Sequence, residues 1–138
     1  MKKYLITLLA LSNLFLISCA LQPKEIDSWL VSISGNEPSE LDISGKWYDP
    51  AGGFRGWVDG YIKQEQNQLS GIIGCYNIKG IVSGKQVYLV FIYEGSVHYT
   101  ARLEMMADSL VGNYFVANDK KQSKGYTVSF SKKVDTIN

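Results

Sequence analysis

From Asp42 to Lys132 the chain is written in short runs of alternating apolar and polar residues, broken by small or polar turn residues. The runs are Ile43–Tyr48, Trp57–Gln64, Gln68–Cys75, Ile78–Ser83, Gln86–Glu94, Val97–Met106, Ser109–Ala117 and Gly125–Lys132. Between them stand Asp49-Pro50-Ala51-Gly52-Gly53, Gln66-Asn67, Tyr76-Asn77, Gly84-Lys85, Gly95-Ser96, Ala107-Asp108 and Asn118-Asp119. Alternation at period two places one set of side chains on each face of a strand, and short turns force consecutive strands to run antiparallel. After Ser39 no stretch carries a sustained helical period. An open meander would leave two edges with unpaired backbone groups, and closure removes them. The sequence therefore predicts an all-β fold: an eight-stranded antiparallel up-and-down barrel.

A repeated phrase supports closure. Apolar-x-Gly-x-apolar occurs at Ile43-Ser44-Gly45-Lys46-Trp47, Leu69-Ser70-Gly71-Ile72-Ile73, Ile78-Lys79-Gly80-Ile81-Val82 and Leu110-Val111-Gly112-Asn113-Tyr114. Glycine weakens a flat strand, so four in matching positions imply sharp coiling or an aromatic packed on bare backbone.

One hairpin leaves its register open. Val97, Tyr99, Ala101, Leu103 and Met105 form the apolar face of their run and His98, Thr100, Arg102 and Glu104 the polar face. The preceding run is apolar on both faces. A two-residue turn at Gly95-Ser96 pairs Ile92 with Tyr99 and Tyr88 with Leu103 inside, leaving Val87, Leu89, Phe91 and Tyr93 outside. A three-residue loop exchanges the two sets. Either way an apolar stripe faces outward and needs a cover: the Trp29–Ile33 segment, a second copy of the chain forming a homodimer, or another partner. The segment is the simplest cover, either as a short extra strand or docked on the barrel.

The first residues read differently. Met1-Lys2-Lys3 is a positive start, and Tyr4 to Ile17 is apolar apart from Thr7, Ser12 and Asn13. The run is shorter than the ~20 residues of a membrane-spanning helix and is laid out like a secretory signal. Leu16-Ile17-Ser18-Cys19 resembles the lipobox of bacterial lipoproteins. That resemblance implies cleavage before Cys19, diacylglycerol on its sulfur and acylation of the new amine, hence a membrane anchor of two or more chains. Ala20 follows the cysteine where an aspartate would retain the protein at the inner membrane; in Gram-negative lipoproteins that resemblance implies sorting to the outer membrane, with the domain facing the periplasm. The expected organisation is a signal peptide over 1–18, a lipid-anchored tether over 19–40 and a barrel over 41–134. Lipid on Cys19 leaves Cys75 without an intrachain partner, and an unpaired thiol in an oxidising compartment is expected to be buried.

Ile43-Ser44-Gly45-Lys46-Trp47 also resembles the first-strand motif of avidins, and Gly-x-Trp that of lipocalins. Both families are eight-stranded barrels with a ligand in the mouth. Asp49 and Gly53 stand where the avidin pattern has a biotin-contacting asparagine and serine, so biotin is not implied. A fuller resemblance, over Asp42 to Tyr114, is to small bacterial envelope lipoproteins. They share Ser44-Gly45-Lys46-Trp47, Tyr76-x-x-x-Gly80, Val82 to Val90 and Val97-x-Tyr99-Thr100-Ala101-x-Leu103, and the likeness implies no activity.

Candidate chemistry is sparse. His98 is the only histidine and lies on a polar strand face, with no second histidine for a zinc site and no nucleophile-elbow phrase beside it. No metal, cofactor or catalytic residue is therefore assigned. A hydrolase built on Asp49 and Asp59 is the third-ranked reading, because loop-flanking aspartates usually cap turns. Without Lys2 and Lys3 the 14 basic residues become 12 against 13 acidic ones, so nucleic acid is not an expected partner. The loop Gly52-Gly53-Phe54-Arg55-Gly56-Trp57 combines glycine mobility with stacking and anion-binding side chains. The expected contact residues are Phe54, Arg55 and Trp57 in this loop and Trp47, Tyr88 and Tyr99 inside the barrel. They point to an anchored binding module that holds a small apolar ligand in its mouth. The alternative is a structural or inhibitory envelope protein with a filled barrel, acting on a partner through its outer surface.

Overall fold

The alternating runs become eight antiparallel strands in a computed structural model that describes Leu30 and residues 37–53, 56–117 and 125–135. They are β1 (Gly45–Tyr48), β2 (Asp59–Glu65), β3 (Gln68–Ile73), β4 (Tyr76–Ser83), β5 (Gln86–Tyr93), β6 (Ser96–Met106), β7 (Ser109–Val116) and β8 (Tyr126–Lys132). Each pairs with its neighbours in sequence, and β1 meets β8 through Trp47 opposite Lys132 and Tyr48 opposite Ser131. The sheet is a closed up-and-down barrel, as the strand rhythm implied. The expected signal peptide, Cys19 and most of the expected tether lie outside the described residues.

Successive connections alternate between two ends. The tether end holds the turns Gln66-Asn67, Gly84-Lys85 and Ala107-Asp108 and the entering segment 37–44. The loop end holds the 49–58 connection, the turns Gly74-Cys75 and Glu94-Gly95, and the 117–125 connection.

Two turns differ from the sequence expectation, each with a consequence. Ile73 pairs with Tyr76, so the β3–β4 turn is Gly74-Cys75 and not Tyr76-Asn77. Gly74 has a φ of +59°, and a Cβ on it would overlap the carbonyl oxygen of Gly56, so only glycine fits. Cys75, expected in the core, is consequently exposed at the hairpin tip.

The β5–β6 turn is Glu94-Gly95, with φ +49° and +77°, the double positive pattern that matches strand twist. Ile92 faces Val97 while Phe91 faces Tyr99, leaving His98 as the extra residue of a bulge. The bulge reverses the faces that a plain two-residue turn would set. Val87, Leu89 and Phe91 therefore point inward with Tyr99, Ala101 and Leu103. Tyr88, expected inside, faces outward with Val90 and Ile92, and Val97 turns outward with them. The inward set is the one assigned to a three-residue loop, reached instead by a two-residue turn and a bulge.

Glycines of the repeated phrase lie on the inward face. A Cβ at Gly71, Gly80 or Gly112 would overlap the carbonyl oxygen of Tyr61, Tyr88 or Arg102 on the neighbouring strand. Tight coiling brings those backbones together, which answers why the phrase recurs.

The entering segment stoppers the tether end. Ile43 is fully buried in the core, and Leu41 packs against it. The Gln64 side chain holds the segment: its Oε1 accepts from Ile43 N at 2.9 Å, and its Nε2 donates to Leu41 O at 2.7 Å and lies 3.1 Å from Ser39 Oγ. Glu40 N donates to Gly84 O at 3.0 Å, and Gly84 N donates to Pro38 O at 3.1 Å. Lys132 Nζ lies 5.7 Å from the ring centre of Trp47, whose Nε1 donates to Ile43 O at 2.8 Å. On the outer wall, Leu30 lies among Ile81, Val90 and Val97; the rest of the Trp29–Ile33 segment lies outside the described residues.

Candidate functional site

The loop end is closed from within by Trp57. This residue ends the 49–58 connection, just before β2, and its indole turns down the barrel axis instead of standing on the rim. It is fully buried. Phe91 stacks on it at 4.6 Å, Tyr99 and Tyr114 meet it edge-on at 5.1 Å each, and Phe130 lies 5.8 Å away. Each aromatic pair adds roughly 0.5–1.5 kcal/mol beyond the area it buries. With Ile62, Ile73, Leu89, Leu103 and Leu110, these rings form one buried cluster inside the barrel. Eight strands enclose an interior just wide enough to be packed in this way.

Above the plug the rim is built from tyrosine. Tyr126 stacks on Tyr114 at 5.2 Å, Tyr114 meets Tyr99 at 5.7 Å, Tyr99 meets Tyr76 at 5.7 Å, and Tyr76 meets Tyr93 at 5.9 Å. His98, the bulge residue, closes the arc at 5.7 Å from Tyr93 and 5.9 Å from Tyr76. Position explains the arrangement. Tyr76 opens β4, Tyr93 ends β5 and Tyr126 opens β8, so each leaves the sheet at the loop end. Tyr93 and Tyr126 are exposed, at 38% and 52%, while Tyr76 is 8% exposed. The arc thus offers open rings on a base of buried ones, and neighbouring rings hold each in place.

The Tyr76 phenol is pushed up to about 12, first by burial and then by the adjacent Tyr99 phenol and Cys75 thiol. Tyr93 is also raised, first by the Glu94 carboxylate beside it. For Tyr76 the neutral form is favoured in the folded state. Its contribution is complete below pH 10 and is lost as pH rises through 12, because the unfolded chain ionises first. Urea unfolding at pH 9, 10 and 11 is expected to show stability falling above pH 10 from this group, by at most about 1 kcal/mol between pH 10 and 11. In Tyr76→Phe the fall is expected to be shallower by that amount.

The sequence-derived contact residues are not brought together as a group. Trp57 and Tyr99 meet at this end. Trp47 is fully buried, with its indole turned back toward Ile43 at the tether end. Tyr88 is on the outer wall, and Phe54 and Arg55 lie outside the described residues. Asp49 caps its own turn, with Oδ1 accepting from Ala51 N at 2.8 Å. Among the described residues no three His, Cys, Asp or Glu side chains converge as a metal site. Two surface depressions lie away from the rim: one of about 380 Å³ beside Leu30, Gln68 and Lys79, another of about 350 Å³ beside Pro38, Ser39 and Gln64. Sequence reasoning missed Tyr76, Tyr93, Tyr114 and Tyr126 as a set. The available signal was three tyrosines abutting turns at one end of the meander. Compared with protein-family models, with curated proteins and with solved structures, the chain finds no match.

Proposed function

We propose that this chain is a non-enzymatic interaction module, anchored through lipid on Cys19 to the outer membrane and facing the periplasm, that binds an envelope protein with its tyrosine-rimmed end. The observation that carries this reading is the arc of tyrosines standing on the Trp57 plug. Tyrosine is favoured where proteins meet, because it offers a large amphipathic surface with little rotamer entropy to lose. Here that entropy is reduced further, since each ring packs on the next. The same plug weighs against a small apolar ligand inside the mouth, which would have to displace Trp57 from its aromatic neighbours. The apolar stripe on the outer wall, a candidate homodimer surface by sequence, has Leu30 on it, and this favours the rim as the contact surface.

The test is site-specific photocrosslinking in cells, with a photoreactive phenylalanine analogue at Tyr93, Tyr126, Tyr61 or Ile72. The first two lie on the rim, and the last two are exposed on the barrel wall. One adduct of defined mass at Tyr93 and Tyr126, absent at Tyr61 and Ile72, is the expected result. Adducts confined to the wall, or a rim that yields none, would overturn the proposal.

A further inference from the structure

By register, Tyr88, Val90 and Ile92 of β5, Ile81 of β4 and Val97 of β6 point away from the barrel interior. Yet Ile81, Val90 and Val97 are only 4%, 1% and 7% exposed. Outward-pointing side chains reach such values only under a cover. Leu30, itself 3% exposed, packs in one cluster with all three. We propose that this stripe is an intramolecular docking site for the tether, and that docking at Leu30 sets how far the lipid anchor lets the barrel stand from the membrane. The docking stands on the packing alone, whereas the reach rests on the anchor reading given above.

The reach follows from chain geometry. Between Cys19 and Leu30 the chain spans at most about 40 Å, at roughly 3.3–3.6 Å per residue. With Leu30 released, the next fixed point is Pro38, held by its carbonyl on Gly84 N. From Cys19 to Pro38 the limit is about 68 Å by the same measure, roughly 1.7-fold greater. Release also bares the apolar side chains of Ile81, Val90 and Val97, so extension and exposure come together.

Docking is tested first in solution on the mature chain carrying Cys19→Ser and Cys75→Ser, with Val90→Cys as a reporter thiol. Maleimide labelling is expected to be slow, and at least tenfold faster once Leu30→Asp is added, with an unchanged far-ultraviolet spectrum. Leu30→Met should keep it slow. Ile81→Cys serves as the reporter if Val90→Cys does not fold. Equal rates with and without Leu30→Asp would overturn the docking. Reach is tested on the lipidated full chain in vesicles, by energy transfer from a dye on Cys75 to an acceptor lipid. Leu30→Asp is expected to lower the transfer, and unchanged transfer in a variant whose stripe has opened would overturn the reach. If the chain stays off vesicles altogether, the anchor reading fails, and the thiol assay still decides the docking.

Discussion

Trp57→Ala is expected to cost the barrel about 3–5 kcal/mol of stability, the range for truncating a large buried aromatic. The side chain is fully buried and contacts Phe91, Tyr99, Tyr114 and Phe130. Four consecutive strands, β5 to β8, supply those rings, so the void cannot close without moving that part of the sheet. A second effect distinguishes this residue from other core positions. Removing the indole opens the interior toward the loop end, and the variant is expected to take up a small apolar fluorescent probe with saturable affinity. Urea unfolding measures the first effect and probe titration the second. The wild type is expected not to take up the probe, and saturable uptake there would mean that the plug moves aside and the barrel holds ligands. Trp57→Phe keeps a ring over Phe91 and should lose well under half as much.

Gly112→Ala should be nearly as damaging, although it adds only one carbon. Its Cβ would overlap the carbonyl oxygen of Arg102 and lie 3.0 Å from the Leu103 Cα, so β6 and β7 must separate there. Separation weakens backbone hydrogen bonds in a closed sheet, which has no edge to absorb the shift. A loss of about 3 kcal/mol is expected, at the upper end of overpacking costs. Gly95→Asn provides the contrast. Gly95 has φ +77° but nothing within 4 Å of its added Cβ, and asparagine tolerates that backbone conformation. It should lose less than about 1 kcal/mol. Thermal unfolding of the two variants separates a requirement for space from one for backbone freedom. If both lose the same amount, the close approach of strands is not what the repeated glycines serve.

These two cases also show what is legible in the chain. Period-two alternation and turn residues carry the strand count and closure, because each is a local constraint that any barrel of this kind must satisfy. The glycine phrase is legible for the same reason: a residue without a side chain marks a place where backbones touch. The unsatisfied stripe is legible as a problem, and Leu30 is part of its solution. The bulge at His98 is not legible, since it depends on whether Phe91 or Ile92 packs better against the distant Trp57. Glu94 conceals it further by taking a positive φ without being glycine. Cys75 was misplaced through its turn, where Gly74 and not the Tyr76-Asn77 pair does the reversing. The tyrosine rim is the least legible feature. Tyr76, Tyr93, Tyr99, Tyr114 and Tyr126 sit on five consecutive strands, β4 to β8, and only the register between neighbouring strands brings their rings together.

Cys75 offers the most direct measurement of whether the rim is the working surface. It is exposed at the loop end beside Tyr76, and a partner seated on the rim would cover it. Maleimide labelling of the Cys75-containing peptide, followed by mass spectrometry, can be compared between opened envelopes and purified protein. Cysteine at Ile72, exposed on the wall, serves as the reference. The expected result is at least tenfold slower labelling of Cys75 in envelopes, with Ile72→Cys labelled at equal rates in both. Equal rates at Cys75 in the two preparations would contradict a partner bound at the tyrosine-rimmed end.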